Sequence, residues 1–124
     1  MNAQEIQSHL DRYNGCEQPY FRHTGFCRID YTDGIKFLQD KVGCLWLTNA
    51  IASYQTSKFK AINDRQFWKL TVNLESHAGI LTCDDGDGNI LVNRSIPYTD
   101  FPLSEIRIWV CIQPEVFMFL PSEY

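Results

Sequence analysis

A chain of 124 residues, 44% apolar and 14% aromatic, is the size of one domain and buries roughly two-thirds of its unfolded surface without covalent staples. Its formal charge of −4 is unevenly spread: residues 1–62 carry seven Lys or Arg against six Asp or Glu, and residues 63–124 carry four against nine. No Lys/Arg stripe is available to displace counterions from phosphates, which argues against nucleic acid, and no apolar run reaches the length of a membrane span.

Ala3 to Tyr13 reads as a short amphipathic helix with Ile6, Leu10 and Tyr13 on one face, stopped by Asn14-Gly15. Pro19–His23 and Phe26–Ile29, broken at Thr24-Gly25, read as an aromatic-rich hairpin. A helix opens at Thr32 or Asp33, carries Ile35, Leu38 and Val42 along one stripe, and closes at Gly43. A second runs from Leu45 to about Tyr54, with Trp46, Ala50 and Ser53 on one ridge and Leu47, Ile51 and Tyr54 on the next. Thr56 to Asp64 is polar and reads as a loop.

From Gln66 the hydrophobic period changes to two, with Trp68, Leu70, Val72 and Leu74 alternating with Lys69, Thr71 and Asn73. Glu75–Gly79 turns the chain, Ile80–Asp84 extends again, and Asp85-Gly86-Asp87-Gly88-Asn89 is a turn-rich tip. Ile90–Ile96, Ile106–Ile112 and Val116–Leu120 complete the strands, with Pro114 marking the last turn. Helices first and a meander afterwards predict a single α+β domain over residues 1–124, its N-terminal helices packed on a mainly antiparallel β-sheet.

Recognisable reaction chemistry is absent from this pattern. Read as a calcium loop, the Asp85–Asn89 tip would need Gly at the sixth position and Glu at the twelfth, which hold Ile90 and Ile96, so a solvated hairpin turn is expected. His23 and Cys27 are four apart, but in an extended segment that spacing does not aim two ligands at one metal. Neither Gly-x-Ser-x-Gly nor a glycine-rich phosphate loop occurs, so no cofactor, metal or catalytic residue is expected. Five widely spaced cysteines, and an N-terminus without a basic region followed by an apolar run, point to a reduced, cytoplasmic protein.

The polar side of the second helix is the best candidate for a binding site. Asn49 and Ser53 are four apart on one face, with Gln55 at its end, and such residues suit a helix interior poorly unless their side chains find partners. Those partners are either a ligand or a neighbouring strand or loop. Tyr-Thr-Asp occurs twice, as Tyr31-Thr32-Asp33 and Tyr98-Thr99-Asp100. In the first copy Thr32 or Asp33 is expected to cap the helix while Tyr31 staples against Ile35 or Lys36. In the second, Asp100 is expected to make an Asx-type turn, or to cap a single turn through Glu105, because Pro102 forces Phe101 into an extended conformation. The candidate ligand- or partner-binding residues are therefore Tyr31, Asp33, Trp46, Asn49, Ser53, Tyr54, Gln55, Tyr98 and Asp100.

Taken in order, Tyr31-Thr32-Asp33-Gly34, Asn49–Gln55, Trp68-Lys69-Leu70, Tyr98–Leu103 and Leu120–Tyr124 resemble a family of small proteins of bacteria, their phages and plasmids, known as a domain of unknown function. The resemblance runs from about Asn14 to Tyr124 and is weakest over the N-terminal helix and Ser57–Arg65. It implies no reaction, cofactor or catalytic residue, but it does imply a mobile-element setting. The expected function is accordingly binding and not catalysis, by a regulator or counter-defence inhibitor that meets a basic protein partner through its acidic C-terminal half. A homodimer fits the exposed sheet edges. The alternative is a small-ligand binder with Asn49, Ser53, Tyr54, Tyr31 and Tyr98 around a pocket; a hydrolase or transferase would need paired acid and base groups in a concave site.

Overall fold

The computed structural model describes residues 2–15, 18–25, 27–112 and 115–124. Its elements in chain order are α1 (Ala3–Leu10), β1 (Tyr20–His23), β2 (Arg28–Tyr31), α2 (Asp33–Asp40), α3 (Leu45–Ser53) and α4 (Ser57–Ile62). Then come β3 (Arg65–Val72), β4 (Gly79–Asp84), β5 (Ile90–Ile96), β6 (Glu105–Ile112), β7 (Val116–Phe119) and a final 3-10 turn, Pro121–Glu123. All seven strands join one sheet in the order β1-β2-β7-β6-β3-β4-β5. Every pairing is antiparallel except β2 with β7, so the fold is α+β with a mostly antiparallel sheet.

Alternation sorts the strands into two faces. Trp68, Leu70 and Val72 of β3, Leu81 and Cys83 of β4, Ile108 and Val110 of β6, and Val116 and Met118 of β7 point to the buried side. There they meet Ile6 and Leu10 of α1, Ile35 and Leu38 of α2, and Leu47 and Ile51 of α3 in one core cluster. The registers align these inward residues, Trp68 with Cys83 and Ile108, and Val110 with Met118.

Three expectations need correction. Thr56–Asp64 is not all loop: the Thr56 hydroxyl oxygen accepts the Phe59 N–H at 3.2 Å and starts the six-residue α4, which buries none of its residues. The strand that opens at Arg65 stops at Val72, because Asn73 Oδ1 accepts the amides of Glu75 and Ser76 and bends the chain; Leu74 is 49% exposed. The last strands are not a simple meander, since β6 pairs with β3 on the side away from β4. Pro97 and Pro102 have no amide to extend a ladder, and buried Phe101 pins the crossing segment to the core. Phe26, the expected start of the second hairpin segment, and the expected turn at Pro114 lie outside the described residues.

The start of α2 holds a fourth correction. Neither Thr32 nor Asp33 caps it with a side-chain oxygen. The cap is the buried carboxylate of Glu123, 89 residues away from Gly34 in the chain. Its Oε1 accepts the Thr32 hydroxyl at 2.6 Å and the Leu120 N–H at 3.1 Å, and its Oε2 accepts the Gly34 N–H at 3.1 Å. A carboxylate there suits both the open amides and the helix dipole. Only glycine fits at position 34, because a Cβ would lie 2.5 Å from Glu123 Oε1 and from Leu120 Cδ1. Tyr31 finds its ring partner on the next strand, stacking on Tyr20 at 5.8 Å.

Removing a carboxylate that satisfies three donors leaves buried N–H and O–H groups unpaired. Glu123→Ala is expected to cost about 3 kcal/mol in urea unfolding, and Gly34→Ala a comparable amount through the clash. A loss under about 0.5 kcal/mol for both, the size of an ordinary surface substitution, would contradict this role.

Candidate functional site

The polar side of α3 is occupied by the protein itself. Asn49 Oδ1 accepts a hydrogen bond from Arg22 Nη1 at 2.9 Å. The rest of that guanidinium donates to Thr48 Oγ1 at 2.7 Å and to Gln39 Oε1 at 3.1 and 3.2 Å. These neutral acceptors tie the edge strand β1 to α2 and α3, and burial pulls the Arg22 pKa below its ordinary value. Gln55 and Gln66 are both buried and exchange amide hydrogen bonds at 2.7 and 2.8 Å. Gln66 Oε1 also accepts the Trp68 indole N–H at 2.9 Å, while Tyr54 tilts against the Trp68 ring at 5.5 Å. Ser53 donates to the Ala50 carbonyl at 2.6 Å. Asp33 sits apart in a shallow depression with Tyr13, Tyr20 and Lys36; burial, aided by the charges of Asp33 and Glu123, raises the Tyr13 pKa.

Trp46, Tyr98 and Asp100, by contrast, meet. A cleft of about 290 Å³ separates the α2–α3 corner, Val42 to Cys44 and Trp46, from the β5–β6 connection, Tyr98 to Phe101. Gly43 turns the corner at φ +78°, a conformation that disfavours side chains with a Cβ. The turn in the facing segment is made by Thr99, not Asp100: Thr99 Oγ1 accepts the Phe101 N–H at 3.2 Å. Asp100 instead acts on the neighbouring Tyr98 phenol, whose pKa it raises above the ordinary value through hydrogen bonding and its charge. Behind Tyr98 lies His77, ring centroids 5.2 Å apart, with φ 63° and a buried Nδ1 that has no partner.

A second cleft, of about 250 Å³, opens on the other face of the sheet. In register across β3, β6 and β7 stand Phe67, Trp109 and Phe119. Their rings pack edge to face, Phe67 on Trp109 at 5.1 Å and Trp109 on Phe119 at 6.3 Å, and Tyr124 closes one side at 5.7 Å from Trp109 and 5.8 Å from Phe119. Arg65 and Cys111 complete the lining. None of these rings belongs to the core cluster that the helices cover. The neighbouring β4–β5 tip leans on the cleft, since a Cβ on Gly86 would come within 2.8 Å of the Phe67 ring. That tip carries Asp84, Asp85 and Asp87. Asp85 accepts from the Asn89 side chain at 2.8 Å and from the Asp87 and Asn89 amides, which holds its carboxyl below the ordinary value. Among the described residues no group of three His, Cys, Asp or Glu is placed to hold a metal ion.

Sequence reasoning missed Phe67, Trp109, Phe119 and Tyr124. Alternation in β3 and β6 puts apolar rings on both faces, and both sets read as core. The usable signal was the shortage of helix: the short helices before Arg65 cover one face of such a sheet and leave nothing for the other.

These features define an α+β sheet protein with one helical layer and an uncovered aromatic face. The chain belongs to the Family of unknown function DUF6876, whose model matches residues 4–124 and so takes in the N-terminal helix and the Ser57–Arg65 segment. No curated protein and no solved structure matches it. Among the described residues no helix is long and apolar enough to cross a membrane.

The cysteines report on the two faces. Burial pushes the Cys44 and Cys83 thiols up to about 12, whereas half-buried Cys111 lines the open cleft. Iodoacetamide at pH 8 followed by peptide mapping is expected to label Cys111 well before Cys44 and Cys83. Labelling of Cys44 at the rate of Cys111 would contradict the packing.

Proposed function

We propose that the protein is a binding module whose uncovered sheet face takes an apolar anchor from a basic segment of a protein partner. One observation carries the reading: the cleft formed by Phe67, Trp109, Phe119 and Tyr124 is unfilled by the protein's own helices, and the Asp-rich β4–β5 tip packs beside its Phe67 wall through Gly86. Aromatic walls around a space for one side chain are the composition of an interface hot spot. The tip carboxylates stand on the Phe67 side, opposite Arg65 in the lining and the Lys69–Arg107 pair next along the same face, so a Lys or Arg flanking the anchor is steered to the tip side of the cleft. In a cytoplasmic, mobile-element setting this is the chemistry of a small regulator or counter-defence inhibitor that occupies a basic surface of another protein.

Selection from a random displayed-peptide library tests it. Enriched peptides are expected to share an aromatic or aliphatic anchor flanked by Lys or Arg. Their binding should weaken several-fold between 50 and 500 mM salt, on the order of what screening removes from exposed charges. It should fall at least about tenfold in Cys111→Lys, which puts a charge in the cleft wall, and less in Asp85→Asn with Asp87→Asn, both distant from the core. Enrichment of acidic peptides, binding unchanged by Cys111→Lys, or self-association through this face in place of peptide binding would each overturn the proposal.

A further inference from the structure

The cleft between the α2–α3 corner and the β5–β6 connection is chemically unlike the sheet-face cleft. We infer that it is a separate binding site for an organic cation, a primary ammonium or guanidinium group held between the Trp46 and Tyr98 rings and the Asp100 carboxylate. Among the described residues Asp100 is the one charged side chain lining the cleft, and it forms no salt bridge with any of them. It lines the cleft beside Tyr98, and its two carboxylate oxygens offer several acceptor positions. Two aromatic faces beside an unpaired carboxylate are the pairing that recognises alkylammonium and guanidinium groups, through the negative ring faces and a charge-assisted hydrogen bond. A neutral ligand would make no use of the Asp100 charge, and an anion would be repelled by it.

The shape supports the same class. About 290 Å³ is at the small end of ligand pockets and suits one side chain or one small amine. Gly43, at φ +78° with no side chain, leaves the corner open, and the Cys44 N–H is already used by the Leu38 carbonyl at 2.9 Å, so it is not offered to an anion. Tyr98 is 62% exposed although its far neighbour His77 is half-buried, which leaves its ring available to a ligand. The cation has two possible sources, a Lys or Arg side chain on a polypeptide or a free amine.

The experiment is a titration followed by two-dimensional NMR at the Trp46 indole N–H and the Gly43 amide. The free probes are n-butylammonium and methylguanidinium chloride, the polypeptide probes are capped Gly-Lys-Gly and Gly-Arg-Gly, and n-butanol and sodium acetate are the controls. Saturable shifts are expected with the cations at Kd on the order of millimolar, and none with butanol or acetate. Asp100→Asn, which keeps a partner for Tyr98, should weaken binding at least about tenfold, and Trp46→Leu should weaken it several-fold. Tighter binding of the capped peptides assigns the site to a polypeptide side chain; equal or tighter binding of the free amines assigns it to a small molecule. Absence of saturable shifts with every cation, equal binding of butanol, or unchanged affinity in Asp100→Asn would overturn the inference.

Discussion

The carboxylate of Glu123 holds together parts of the chain that nothing local would join. It supplies the cap that α2 lacks, fixes the Thr32 hydroxyl at the end of β2, and closes the turn that follows β7 through the Leu120 amide. Because β2 and β7 are parallel, no hairpin connects them, and their register over Ile29–Tyr31 and Val116–Met118 relies on such long-range ties. The same turn sets Tyr124 against Trp109 and Phe119. One interaction therefore seats a helix on the inner face and a wall of the cleft on the outer face.

From that arrangement follows the asymmetry of the molecule. Seven strands share one layer of short helices, so the inner face is dry, while on the outer face Phe67 and Trp109 stay half-buried and Phe119 is buried beside exposed Tyr124. Polar residues on the inner side are resolved internally: Arg22 by three neutral side chains, Gln55 and Gln66 by each other and by Trp68. Such internal networks engage the polar side of α3 within the fold. The unfilled spaces lie elsewhere, in the sheet-face cleft and at the Trp46–Tyr98–Asp100 corner.

Legibility in the sequence tracked how local the physics was. The period of two from Gln66 to Val72, the stripe Ile35 and Leu38, and Gly43 beyond α2 are local signals, and the structure follows each. Leu74 continued the alternation on paper, yet Asn73 used its side chain to end the strand. The α2 cap could not be read from its own neighbourhood because the partner is Glu123. The two Tyr-Thr-Asp copies look alike and act differently, the first donating to that carboxylate and the second folding over Thr99 beside the helix corner. Of the polar and aromatic residues singled out around α3, Asn49, Ser53, Tyr54 and Gln55 bond or stack within the fold, while Trp46 opens toward Tyr98 and Asp100. The outer aromatic face stayed hidden because a ring on a strand carries no mark of which face will be covered.

The central claim is that recognition happens on the uncovered face of the sheet. Amide chemical-shift mapping with a single selected basic peptide tests it most directly. The account predicts perturbations concentrated at Arg65–Phe67, Trp109–Cys111, Phe119, Tyr124 and the Asp84–Asn89 tip, at peptide concentrations too low to shift the Gly43–Trp46 corner, with the amides of α2 and of α3 beyond Trp46 unmoved. Perturbations centred on α2 and α3, with the sheet-face residues silent, would contradict it.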